Sequence, residues 1–232
     1  MKIAVSLFVG LALSVFTGFA QDANAIVKKV REKLNTVKDY EAEGKLVTNV
    51  SFMKVPDSKV TVYYKNPDKF RIRKQDGISI VPKGGTSVNL NSLFAGGGEF
   101  TAVAAGKTTF RGKELTVVKM LPLAENSDVV VSTLYVDETA SLIHKAITTT
   151  KESGTYEIEM TYGKYATWGL PDQVTFIFNT KNYKLPKGLA FDYDTGEKPA
   201  VANKAGDQQG RVQISYTSYK INKGIAASVF GS

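Results

Sequence analysis

Catalysis needs side chains that attack, exchange protons or hold a metal, and this sequence supplies few of them in usable patterns. It contains no Cys and a single His, His144. The absence of Cys removes disulfides, thiolate zinc sites, iron–sulfur clusters and cysteine nucleophiles together. One His removes every site that needs two imidazoles, including the HExxH metalloproteases. His144 falls between Ile143 and Lys145 in a strand-like run, with no Ser or acid at a diagnostic spacing. It reads as a surface or hydrogen-bonded structural residue. Paired carboxylates, the raw material of acid–base chemistry, occur at Glu41/Glu43, Glu157/Glu159 and Asp192/Asp194. The first two pairs sit on the polar parity of strands and read as solvated edges. Asp192-Tyr193-Asp194-Thr195-Gly196 opens like a calcium loop, but no Glu closes it at the twelfth position, so it reads as a turn. The Gly96–Gly98 run lacks the Lys-Ser/Thr of a phosphate loop and reads as a hinge or flexible lid segment. Trp168, beside Gly169, reads as a packing residue. The expectation is a protein that is not an enzyme and carries no cofactor or metal.

Charge and the first residues bear on partners. The net charge is +8, from 30 Lys and Arg against 22 Asp and Glu. Lys2 followed by the apolar run Ile3 to Phe19, and then Gly18-Phe19-Ala20, has the form of a secretory leader cleaved before Gln21. Residues 1–20 are therefore expected to be a signal peptide and residues 21–232 a single domain. Inside a cell such a basic chain would suggest nucleic acid. On an exported chain it points instead to anionic membrane surfaces or acidic ligands, with no nucleic-acid partner. The basic residues concentrate at Lys28, Lys29, Arg31 and Lys33, and again at Lys69, Arg71, Arg73 and Lys74. Both groups read as solvated faces.

The elements that would position these residues are legible from periodicity. After Asp22, a plausible N-cap, the spacing of Ala23, Ile26, Val27, Val30, Leu34 and Val37 predicts one amphipathic helix. From Tyr40 to Phe52 the period changes to two, predicting a long strand with one dry face and one wet. Val60, Val62 and Tyr64 alternate in the next strand, Asn66-Pro67-Asp68 turns the chain, and Phe70 and Ile72 alternate before an Asp76-Gly77 turn. Further strands are predicted at Leu115–Leu121, Val129–Val136, Leu142–Thr149, Tyr156–Tyr165, Val174–Phe178 and Arg211–Ile221. Pro82 to Gly98 and Thr195 to Gly210 break the rhythm and are expected to be loops. One helix followed by about ten or more antiparallel strands cannot stay a flat open sheet without wetting too much apolar surface. The sheet must curl into a barrel, closed or open, with the helix docked on it. More than about eight strands leaves an interior too wide for side chains to fill, which implies an apolar cavity.

The chain resembles the periplasmic outer-membrane lipoprotein carriers and lipoprotein-sorting proteins, the LolA-like family. The resemblance rests on the helix ending in Val37-Lys38-Asp39-Tyr40 and on Tyr63-Tyr64-Lys65-Asn66-Pro67-Asp68-Lys69-Phe70-Arg71 with the Asp76-Gly77 turn after it. Leu134-Tyr135-Val136-Asp137 and the Leu170-Pro171 pair continue it. It covers about Ala23 to Phe178 in order and spacing. Where the family's carriers place an Arg before the Pro of the first turn, this sequence has Asn66. The resemblance implies a mainly β fold, an unclosed antiparallel barrel of about eleven strands with a helical lid. It also implies a periplasmic carrier that binds the acyl chains of a lipid or lipoprotein for transfer to the outer membrane, with membrane-bound donor and acceptor proteins as partners. The alternative is an interaction or envelope-sensor module on the same scaffold. Apolar strand positions that would line the cavity are Leu46, Phe52, Val62, Tyr64, Phe70, Ile72, Leu134, Val136 and Phe176; Arg71 and Arg73 would sit at its rim.

Overall fold

The computed structural model describes residues 23–50, 53–54, 56–75, 79–80, 98–152, 154–179 and 209–231. The leader, the Asp22 cap, Phe52, the Asp76-Gly77 turn, Gly96, Gly97 and the Asp192/Asp194 pair lie outside the described residues. Helix α1 spans Ala23–Asn35 and buries Ala23, Ile26, Val27, Val30 and Leu34, the stripe that the spacing predicts. Lys28, Lys29 and Glu32 occupy its exposed side. The helix stops where the Thr36 hydroxyl donates to the Lys33 carbonyl at 2.7 Å, the local side-chain bond that competes with another helical turn.

The strands follow as β1 Asp39–Val50, β2 Met53–Lys54, β3 Ser58–Lys65, β4 Lys69–Lys74, β5 Ser79–Ile80, β6 Phe100–Phe110 and β7 Lys113–Pro122. They continue as β8 Val129–Asp137, β9 Leu142–Thr150, β10 Gly154–Thr161, β11 Gln173–Asn179 and β12 Gln209–Ile221. They form one 12-stranded sheet in the order β5-β4-β3-β1-β12-β11-β10-β9-β8-β7-β6, with β2 paired to β1. All of the pairs are antiparallel. Among the described residues β5 and β6 do not pair, so the sheet is curled but unclosed, the architecture expected from the sequence. Its buried apolar face and the apolar stripe of α1 belong to one continuous core.

Two details differ from the sequence reading, and a third, the place of the last strand, lies beyond it. Strand β6 falls where no strand is predicted, because Phe100-Thr-Ala-Val-Ala-Ala-Gly-Lys-Thr-Thr-Phe110 lacks alternation. A register shift between Ala104 and Lys107 breaks what parity it has. Strand β10 ends at Thr161 rather than Tyr165. The chain then enters a 3-10 turn, Ala166–Trp168, closed by Gly169 at a φ of 71°. Strand β12, the last, lies in the interior of the sheet between β1 and β11. It therefore joins the first four sheet-path strands to the other six.

Candidate functional site

Alternation alone places the apolar residues of β1, β3 and β4 on one side. Leu46, Val62, Tyr64 and Ile72 are buried there with Ala42 and Val60, and Phe70 is half-buried against them. The second flank contributes Leu134 and Val136 from β8, Ile158 and Met160 from β10, and Phe176 from β11, all buried in the same core. Eight of the nine sequence-predicted wall residues thus share one apolar face. Arg71 and Arg73 take the opposite parity. The Arg71 guanidinium donates to the Val229 carbonyl, and the Arg73 guanidinium lies over the Tyr63 ring at 5.6 Å from its centroid. Both are engaged on the outer face of the sheet.

One end of the interior carries a cluster of tyrosines, of which periodicity flags Tyr40 and Tyr64 but not Tyr165, Tyr216 and Tyr219. Tyr40 stacks on Tyr64 at 5.2 Å and meets Tyr219 edge-on at 5.3 Å; Tyr219 also packs against Tyr165 at 4.8 Å and Tyr216 at 5.0 Å. Tyr216 and Tyr219 are three apart, so simple alternation would put them on opposite faces. Glu43 pairs with Ser218 and Gly44 with Tyr216, leaving Thr217 as an extra residue that resets the parity of β12. Gly44 permits this bulge: a Cβ there would lie 2.7 Å from the Ser215 carbonyl oxygen. The Tyr219 hydroxyl donates to the Pro171 carbonyl at 2.7 Å. Burial raises the pKa values of Tyr40, Tyr216 and Tyr219 above the ordinary tyrosine value, so these hydroxyls stay protonated throughout the physiological range. They offer neutral donors within an aromatic wall and no anionic nucleophile.

Polar groups inside the second flank are paired or neutral. The Ser132 and Thr148 hydroxyls share a buried hydrogen bond of 2.9 Å across β8 and β9. His144 packs edge-on to Tyr162 at 5.3 Å, and its Nε2 lies 3.9 Å from the Asp137 carboxylate without a hydrogen-bond partner among the described residues. Desolvation, then the nearby charge of Lys113, lowers its pKa from the usual imidazole value, more than Asp137 raises it. The histidine is structural in setting but lacks the hydrogen bond at Nε2 expected of such a residue.

The Glu157/Glu159 pair lies on the outer face, as alternation requires, but it is not simply solvated. Lys145 holds Glu157 at 2.6 Å, and Arg111 from the β6–β7 turn reaches over to Glu159. Partial burial, then a hydrogen bond with Glu157, raises the pKa of Glu159. Among the described residues no group of three or more acids and histidines could hold a metal ion. A cleft of about 130 Å³ opens between α1 and the β8–β9 turn, where Ile26, Lys29 and Val30 face Val136, Glu138 and Ser141.

A curled, unclosed antiparallel sheet with an N-terminal helix packed on its apolar face defines a known class of fold. Solved structures identify it as the LolA-like fold. A LolA superfamily protein from Nitrosomonas europaea superposes with a TM-score of 0.55 at 8% identity, covering 91% of this chain and 98% of that one. A DUF1329 family protein from Desulfovibrio piger superposes with a TM-score of 0.52 at 11% identity, covering 90% and 97%. By sequence, no family model and no curated protein matches the chain. At these identities the likeness is one of fold.

Proposed function

We propose that this protein is an exported, soluble, non-enzymatic carrier that holds the acyl chains of a lipid or lipoprotein inside the curled sheet and delivers them toward the outer membrane. The observation that supports this reading is the continuous apolar face contributed by both flanks of an unclosed sheet. Leu46, Val62, Tyr64, Phe70, Ile72, Leu134, Val136 and Phe176 would contact the acyl chains, with Phe52 extending the wall beyond the described residues. Binding would be driven by burial, at about 0.8 kcal/mol for each CH₂ taken from water. A two-chain ligand therefore needs no strong polar contact. Arg71 and Arg73 lie on the outer face, so either would meet a headgroup only around the edge of the sheet; Arg73 is the more exposed of the two. The leader would be removed before Gln21 and the protein would work in the periplasm between membrane-bound donor and acceptor proteins.

The near-complete burial of Val62 and Leu134 favours a second reading, an interaction or sensor module whose interior is filled by its own side chains. Leu46→Trp separates the two. In a filled core the larger ring overpacks and destabilises by about 1–3 kcal/mol. In an acyl cavity it occupies ligand space, so uptake of a fluorescent acyl probe falls while the thermal midpoint is nearly kept. The expected result is reduced uptake with a retained midpoint. A large drop in midpoint, in a parent protein that never takes up the probe, overturns the carrier reading.

A further inference from the structure

The chain has one tryptophan, Trp168, and the fold exposes it. It ends the 3-10 turn between β10 and β11, 39% exposed, although tryptophan in a core would be almost covered. The turn is rigidly seated beneath it. A Cβ on Gly169 would lie 3.2 Å from Leu34 and 3.5 Å from Lys33 Cγ, Leu170 is buried, and the Tyr165 hydroxyl accepts from the Tyr219 amide at 3.4 Å. The indole is therefore held at the surface by its neighbours.

Three segments adjoin at this end of the sheet: Gly169 lies against the last turn of α1, Tyr165 packs on Tyr219 of β12, and Asn222 bonds the backbone of Thr36 and Lys38. The last turn of α1 brings Lys33 and leads into Lys38. The 3-10 turn brings Lys164, exposed and 5.2 Å from the Tyr165 ring centroid. The end of β12 brings Lys223, fastened because Asn222 Oδ1 accepts from the Lys38 amide at 2.7 Å and its Nδ2 donates to the Thr36 carbonyl at 3.0 Å. The acids nearby are largely committed. Asp39 is buried and accepts from the Lys223 and Gly224 amides, and Glu32 faces Lys28 at 3.9 Å; the Asp172 carboxylate lies beside Gly163 and adds one negative charge at this end. Lys33 donates to the Ala140 carbonyl. The result is an exposed, amphipathic indole at an end of the sheet whose adjoining segments carry four lysines against the acids Asp39 and Asp172.

That combination suits the interface of a membrane, where tryptophan sits at headgroup depth and lysines meet anionic phosphates. We propose that this end of the molecule, centred on Trp168 with Lys33, Lys38, Lys164 and Lys223, docks on an anionic lipid surface. Docking here is independent of whatever the interior holds, so it can fail or succeed separately from acyl uptake.

Because Trp168 is the sole tryptophan, its fluorescence reports this site alone. Protein purified from the exported fraction is mixed at low salt with vesicles of phosphatidylcholine, or of phosphatidylcholine with phosphatidylglycerol, each with and without brominated acyl chains. The expected result is co-flotation, a blue shift and bromolipid quenching with the anionic vesicles only, all reversed by added salt. Lys164→Glu combined with Lys223→Glu should weaken flotation by about tenfold or more, at about 1 kcal/mol for each basic residue near the surface. Trp168→Ala, read by flotation, should weaken it further while leaving the thermal midpoint in place. Flotation without a tryptophan shift would assign docking to another face, and equal binding to neutral vesicles, or none to either, would equally overturn the proposal.

Discussion

On the β1–β3–β4 flank, the C-terminal segment folds back and is tied down. Asn222 bonds to the backbone of Thr36 and Lys38, Asp39 accepts from the Lys223 and Gly224 amides, Lys65 donates to the Ile225 carbonyl at 3.2 Å, and Arg71 donates to the Val229 carbonyl. On the β6–β7 flank, described β6 has a neighbour on one side only, and Val103, Leu121, Leu123 and Val130 are exposed. Both flanks face the same apolar interior. The first is held by bonds between residues 158 to 186 positions apart, the second by successive hairpins from β6 to β10. Local pairing costs little loop-closure entropy; the first flank has its own β1–β3 and β3–β4 hairpins, but its β12 pairing and tail bonds form only when the end of the chain returns. The difference assigns the two flanks different sensitivities. The hairpin flank tolerates change at its margin, and the other depends on one late strand and its tail.

The largest effect should come from removing that strand. A chain stopped before Gln209 loses the antiparallel partners of both β1 and β11 and leaves two sheet fragments with unpaired edges. The expected outcome is aggregated or unfolded protein, with no cooperative melt by circular dichroism. A truncated chain that melts like the parent would mean that the two flanks are separately stable.

How much of this was legible depends on which physics leaves a local trace. The helix, β1, β3 and the inward Leu46, Val62, Tyr64 and Ile72 were readable because one side of each element is dry and periodicity records it directly. Strand β6 left no such trace, being built of small residues and interrupted by a bulge. The inward turn of both Tyr216 and Tyr219 depends on the extra Thr217, and Gly44 was the one available hint, a glycine inside an otherwise apolar face. The central position of β12 is a long-range pairing that no window of sequence contains. Arg71 and Arg73 read as a basic group beside a turn, but a charge pattern does not reveal that a distant carbonyl, Val229, will meet one of them.

A smaller effect sharpens the contrast by testing the tail clamp alone. Asn222 has a φ of 56°, in the left-handed region where Asn is tolerated and Ala is not. Asn222→Ala loses the bonds to Lys38 and Thr36 and adds backbone strain, for an expected loss of about 2–3 kcal/mol. Asn222→Gly loses the same bonds without the strain and should cost about 1–2 kcal/mol. Denaturant midpoints compare the two. Equal losses would show that the side-chain bonds alone hold the tail.

The smallest effect belongs to the hairpin flank and its half-buried imidazole. His144 is disfavoured as a cation by desolvation and then by Lys113, with Arg111 adding to this and Asp137 opposing it. Its folded pKa therefore lies below the unfolded value of about 6.5. Between those two values the unfolded chain binds more protons than the folded one, so stability rises with pH across that window. It is lost as pH falls from the unfolded value through the folded one. His144→Leu removes the titrating group, and because Nε2 has no hydrogen-bond partner among the described residues to forfeit, the variant should melt close to the parent at pH 8. As pH falls below about 6.5, the parent should lose midpoint faster than the variant. Parallel pH profiles would instead place the acid sensitivity of this flank in Asp137, whose pKa is lowered in the fold, as the group to replace next.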